Sequence, residues 1–194
     1  MIHLITSFFK SSHDIRSQEL IRCLKKNLQN KDIEKIHIFL EKKTDIEYLE
    51  TILNQHIQDI GDNSNIKNTN ITDDMTSLKK TLEKMENDVN RLMNKNKINK
   101  KIHIILLNRQ PFYNDLFAYA NNLKGKICMI SNADIWLKEC DSKLINVIDK
   151  NNNLVYALTR HENDGSKPLI NKYRMSHDCF IFKSPIKYNH GNLN

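Results

Sequence analysis

No run of about eighteen consecutive apolar residues occurs in this chain, so no segment reads as a membrane-spanning helix. The opening "MIHLITSFFK" has too short an apolar core, and no small-residue cleavage site, to be read as a secretory signal. No C-x-x-C pair exists among Cys23, Cys128, Cys140 and Cys179, which argues against a zinc or dithiol redox site. With Cys128 and Cys179 inside predicted strands, the four read as reduced, buried thiols of a cytosolic protein. Aromatic-rich basic motifs are also missing, and this weighs against nucleic acid as a partner despite a formal net charge of +7. The cationic excess is mostly Lys dispersed among many Asn and Ile, as AT-rich coding produces, and it leaves a mild attraction for anionic phosphates.

What is present is an alternation of strands and helices. Ile2 to Phe9 reads as a first strand, and "DIRSQELIRCLKKNLQN" as an amphipathic helix with Ile15, Leu20, Ile21, Leu24 and Leu28 at helical spacing and Asp14 as its cap. A turn near Asn30-Lys31-Asp32 leads to a second strand, Ile33 to Glu41, and "DIEYLETILNQHI" reads as a short helix. A third strand covers Ile102 to Leu107, and the helix of "QPFYNDLFAYANNLKG" has Pro111 near its start and Gly125 after its end. The continuous apolar run Ile127 to Ile130, with Ser131, predicts a strand buried on both faces. A helix around "CDSKLINVIDKNN", a strand from Leu154 to Thr159 and a last strand in "HDCFIFKSPI" complete the pattern. Strands alternating with helices predict an α/β fold, with a mostly parallel Rossmann-like sheet flanked by helices.

Residues 61–100 break this order. Gly61 to Thr72 is almost wholly polar and reads as a linker. After it Met75, Leu78, Leu82, Met85, Val89 and Leu92 form a heptad seam, which either packs on the domain as an amphipathic helix or pairs with a second copy in a homodimer. The expected organisation is one domain over 1–194 interrupted by this insertion.

Polar clusters recur where predicted strands end: Thr6-Ser7, Asn108-Arg109, Asn132 with Asp134, and Arg160-His161-Glu162. A parallel sheet would gather them on one rim, where open α/β sheets bind ligands. Arg, Asp, Glu and small hydroxyls together suit a phosphate-bearing ligand with a divalent cation, since hard cations take oxygen ligands and Arg pairs phosphate bidentately. Solvated strand ends are the alternative for any one cluster.

The ordered succession "QPFYNDLF", "ISNADIWL", "YALTRHE" and "SHDCFIFKSP", with the opening "LITSFF" and the "RSQELIRCLKKNLQN" helix, resembles a group of GT-A-type glycosyltransferases known largely from large DNA viruses and microbes. The resemblance covers most of residues 1–60 and 101–188. It implies transfer of a sugar from a nucleotide-diphosphate sugar donor to a glycan, protein or small-molecule acceptor. Asn132-Ala133-Asp134 stands in place of the family's Asp-x-Asp-like motif, which holds Mn²⁺ or Mg²⁺ and the ribose; Asp134 would be the anionic metal ligand and Asn132 a neutral one. By the same resemblance Thr6, Ser7 and Phe8 border the nucleotide base and Arg109 the diphosphate or base pocket, while Arg160 and Glu162 face the donor sugar and acceptor. Asp178 is placed like the catalytic carboxylate of inverting relatives; a strand-start cap is the other reading of that residue.

Such domains usually continue past the last strand to an acceptor-binding part and a late metal-binding His. Here "KYNHGNLN" follows, with His190 in a Gly/Asn-rich stretch. A fragment, a minimal enzyme and a catalytically inactive donor-binding or scaffold copy are the three expectations this leaves.

Overall fold

A computed structural model of the chain describes residues 1–62, 100–159 and 177–187. Its elements run β1 (Ile2–Phe8), α1 (Asp14–Gln29), β2 (Ile33–Leu40), α2 (Lys43–Asp62), β3 (Ile102–Leu106), α3 (Tyr113–Asn122), β4 (Ile127–Ser131), α4 (Ser142–Lys150), β5 (Val155–Leu158) and β6 (Cys179–Lys183). The polar linker beyond Asp62, the heptad segment and the Arg160-His161-Glu162 trio lie outside the described residues.

The strands form one six-stranded sheet in the order β3-β2-β1-β4-β6-β5. β1 pairs in parallel with β2 and β4, and β2 with β3, while β6 runs antiparallel to both β4 and β5. The sheet is therefore mixed and mostly parallel, compatible with a Rossmann-like fold. The expectation that each strand end reaches the rim in parallel needs one amendment: β6 is reversed, so its beginning meets the carboxyl end of β4.

Period-two alternation divides each inner strand between two cores. Ile2, Leu4 and Phe8 of β1, with Ile36, Ile38 and Leu40 of β2 and Met129 of β4, pack beneath Leu20, Leu24 and Leu28 of α1, Leu49, Ile52, Leu53 and Ile57 of α2, and Ile148 of α4. Ile5, Phe39, Cys128, Ile130 and Phe182 face the other way, against Leu116, Phe117 and Ala120 of α3. Helices thus cover both faces of the sheet, which is why β4 is buried at every residue and reads as an unbroken apolar run. Each such fully buried Ile, Leu or Phe contributes roughly 1.5–3 kcal/mol.

Local signals account for most boundaries. Gly125 follows α3 with φ of 75°, the left-handed region a glycine enters without a Cβ clash. Asp141 caps α4, its carboxylate accepting the Lys143 N–H at 2.8 Å. Asp14 is not the cap of α1: it is the first helical residue, and His13 holds the cap position without a capping bond from its side chain. Asp14 still places a negative charge in the first turn, where the helix dipole favours it. α2 runs to Asp62, five residues beyond the Ile57 that ends the segment predicted to be helical. No described helix is long and apolar enough to cross a membrane.

Candidate functional site

The sheet order reverses direction at β1. From β1 the chain goes to β2 and β3 on one side, then returns to place β4 on the other. A crevice opens outside the carboxyl ends of strands at such a switch point, and it is the usual ligand position in open α/β sheets. The residues that follow β4, Asn132 to Asp134, stand beside this crevice.

β6 adds its first residues to the same rim. Ser131 pairs with Cys179 in antiparallel register, and the Asn132 N–H donates to the Asp178 carbonyl at 3.1 Å. The side chains continue that contact: the Asn132 amide donates to Asp178 Oδ1 at 3.1 Å, and Tyr113 at the start of α3 donates its hydroxyl to Asn132 Oδ1 at 2.6 Å. Chemistry fixes the orientation of the amide, since a carboxylate only accepts and the phenol donates while it keeps its proton. Burial holds the Tyr113 phenol above its ordinary range, with Asp178 adding to the effect, so it remains a donor. An Asp at 132 would instead present a second carboxylate to Asp178 about 3 Å away. The amide is therefore what the site needs, and the departure from two carboxylates has a local cause.

Asp134 faces α1. Its Oδ2 accepts from Arg16 Nη1 at 3.0 Å, and the same guanidinium nitrogen reaches Glu19 at 2.6 Å. The Asp134 side chain is only 11% exposed, against 41% for Arg16, so the pair stands at the edge of the crevice with its acidic member inside. Arg16 had no part in the sequence reading, because an exposed-looking Arg in a first turn carries no local mark of the carboxylate it meets 118 residues later.

α1 also shapes the loop that carries Asp134. Asn27, 3% exposed, donates to the Ile135 carbonyl at 2.9 Å and accepts the Leu137 N–H at 3.0 Å. Asn30 donates to the Leu137 carbonyl at 2.7 Å, and the Cys23 thiol lies 3.1 Å from the Asp134 carbonyl. One buried amide thus pairs both backbone directions of the loop, as a strand neighbour would. On the β1 side the Asp45 carboxylate accepts from the N–H groups of Lys10 and Lys42, tying the loop after β1 to the start of α2.

Other sequence-chosen residues stand elsewhere. Thr6 is buried with its hydroxyl 3.3 Å from the Ser7 carbonyl, and Ser7 is half-buried. The Phe8 ring is in the core, stacked on Tyr48 with centroids 6.0 Å apart. Arg109 follows edge strand β3, three strand positions from β4, or roughly 14 Å at the usual spacing. It forms a bidentate pair with Asp115 at 2.7 and 2.6 Å, and Asp115 in turn accepts the Phe112 N–H that opens α3. The Arg109 hydrogen bonds hold the Asp115 carboxyl below its usual range. The pairing fastens the start of α3. Asn108 supports that turn with φ of 58°, a region Asn tolerates better than most residues. Of the sequence candidates, the fold brings Asn132, Asp134 and Asp178 together.

The cysteines have no part in this chemistry. All four are free, and burial pushes the thiols of Cys128 and Cys179 up to about 12 and that of Cys23 up to about 11.

A divalent cation was expected on Asp134. Its Oδ2 is engaged by Arg16, Asn132 Oδ1 by Tyr113 and Asp178 Oδ1 by Asn132. Among the described residues no group of three or more His, Cys, Asp or Glu side chains could hold a metal ion. Mn²⁺ and Mg²⁺ require several oxygen ligands, more than the described residues supply around Asp134. No family model, no curated protein and no solved structure matches this chain.

Proposed function

We propose that the β1/β4 crevice binds a nucleotide-diphosphate sugar and that the chain is a glycosyltransferase of GT-A type. The single observation that carries this reading is the convergence of Asn132 and Asp178, distant in sequence, at the switch point of the sheet. In the proposed reaction an acceptor hydroxyl attacks the anomeric carbon of the donor. The bond from that carbon to the diphosphate oxygen breaks, its electron pair leaves with the nucleoside diphosphate, and the hydroxyl proton passes to the Asp178 carboxylate. Asn132 aims that carboxylate through its amide, and Tyr113 fixes the amide in turn. Arg16, held between Asp134 and Glu19, brings a guanidinium to the crevice edge.

The test is a thermal-shift screen of nucleotide sugars, followed by transfer assays on Asp178→Asn. A donor at about a hundred times its dissociation constant should stabilise the protein by about 2.7 kcal/mol. The variant should bind that donor within roughly twofold yet transfer about 10² less, the scale of a lost general base. Unchanged transfer would return Asp178 to a structural role. Donor stabilisation with no turnover by the wild type would identify an inactive donor-binding protein, and no stabilisation by any nucleotide sugar would refute the reading.

A further inference from the structure

Away from the crevice, α1 and α2 flank a groove of about 420 Å³, within the size range of small-ligand sites. Gln18, Arg22, Lys25 and Lys26 of α1 line it from one side, His56 and Asp59 of α2 from the other. Arg22, Lys25 and Lys26 crowd one turn of α1 at spacings where like charges repel, which costs a helix a few tenths of a kcal/mol per pair. Lys25 has a partner, its Nζ 2.8 Å from Asp59 Oδ2. Lys26 lies over the Trp136 ring with its Nζ 3.7 Å from the centroid, a contact that fixes the ammonium without neutralising it. Neither Arg22 nor Lys26 has a carboxylate within ion-pair distance among the described residues. The groove therefore carries a surplus of two positive charges.

An independent observation comes from its floor. His56 is 3% exposed and forms no hydrogen bond among the described residues. Its ring nitrogens are not among the described side-chain atoms that are fully enclosed without a partner, so they open on the groove, where a ligand can reach them. Its burial and the neighbouring Lys25 disfavour the charged form in the free protein, with Asp59 opposing them. A bound anion would reverse that balance.

From the surplus charge and the unpartnered imidazole together, the geometry points to a second site: the α1/α2 groove binds a small phosphate-bearing anion, held by Arg22 and Lys26 and hydrogen-bonded by His56. Two cations set beside one buried imidazole form a compact cluster, which suits a discrete ligand. A nucleic-acid backbone would call instead for an extended basic strip.

The probe is inorganic pyrophosphate added to the full chain near physiological salt, read by the imidazole Cε1–H resonance of His56 in NMR. This local reporter separates the groove from the crevice, so the result stands whether or not the glycosyltransferase reading holds. The His56 resonance should move saturably with half-saturation below about 1 mM, and the His56 pKa should rise by about one unit or more, a tenfold preference for the charged form. The pair of exposed-face substitutions Arg22→Gln and Lys26→Gln should weaken binding at least about tenfold while the circular dichroism stays native. No saturable shift by about 10 mM pyrophosphate, or equal affinity in the double variant, would overturn the proposal. Tighter binding of a single-stranded oligonucleotide that displaces pyrophosphate, with a steep salt dependence, would also overturn it in favour of nucleic acid.

Discussion

Acidification should withdraw stability from this fold through His37. On the α3 face of the sheet, His3 Nδ1 and His37 Nε2 are 3.0 Å apart, and His37 Nδ1 is 2.9 Å from the Tyr119 hydroxyl. Burial, with His3 and then His103 adding to it, lowers the His37 pKa from 6.5 to about 4. The sign follows directly. The unfolded chain binds a proton at His37 below about pH 6.5 while the folded chain still refuses it, so this contribution is fully present above that pH and is lost as pH falls toward 4. Between about pH 7.5 and pH 5 the loss from this group is about 2 kcal/mol, approaching about 3 kcal/mol below pH 4. Urea unfolding followed by circular dichroism at several pH values measures it, with His37→Phe as control. That variant should start weaker near neutrality, because His3 and the Tyr119 hydroxyl lose a partner at about 1–3 kcal/mol. It should then lose about 2 kcal/mol less than the wild type on acidification, so that the two curves converge. Parallel curves would refute the reasoning, since the pH dependence would then arise from other groups.

Two further outcomes follow from the crevice. Asn132→Asp should destabilise the protein near neutrality by about 1–3 kcal/mol, because it sets a carboxylate against Asp178, and should recover much of that loss as pH falls and the pair takes up a proton; a deficit independent of pH would count against the Asn132–Asp178 contact. Asn27→Leu should cost about 2–3 kcal/mol by leaving the Ile135 carbonyl and Leu137 N–H without their partner, and should speed hydrogen exchange at Leu137 with little change at β2; an unchanged exchange rate at Leu137 would sink the positioning role given to Asn27.

How far the sequence announces this arrangement depends on the range of the force concerned. β4 was legible to its last residue, since double-sided burial writes itself as the apolar run Ile127 to Ile130, closed by Ser131. The helix around Ser142–Lys150 was legible but its cap, Asp141, was not singled out, and the cap expected for α1 at Asp14 lies one residue earlier, at His13. Strand direction was not legible: alternation along Cys179–Lys183 is the same whichever way β6 runs, and only its pairing with β4 reveals the reversal. That reversal is also why Asp178 reaches the rim from the start of a strand. Asn27 looked like an ordinary helix residue because its two backbone partners lie about 110 positions away, and the pairing of Arg109 with Asp115 has no mark in the sequence because the carboxylate belongs to the first turn of the following helix. The burial of the Phe8 ring follows from its side of the strand, as residues of one strand end point alternately to opposite faces.

The interleaving of β6 between β4 and β5 sets the order in which the sheet can be assembled. As the chain leaves the ribosome, β3, β2, β1 and β4 can zip together from neighbours already made. β5 cannot join them: its pairing partner in the described sheet is β6, which emerges some twenty residues later. Until then Val155–Leu158 has no ladder and the outer edge of β4 stands open, a template for another nascent chain. One late strand therefore closes that edge, recruits β5 and delivers Asp178 to the rim in a single docking event, so that the candidate site is completed only when the exposed edge disappears.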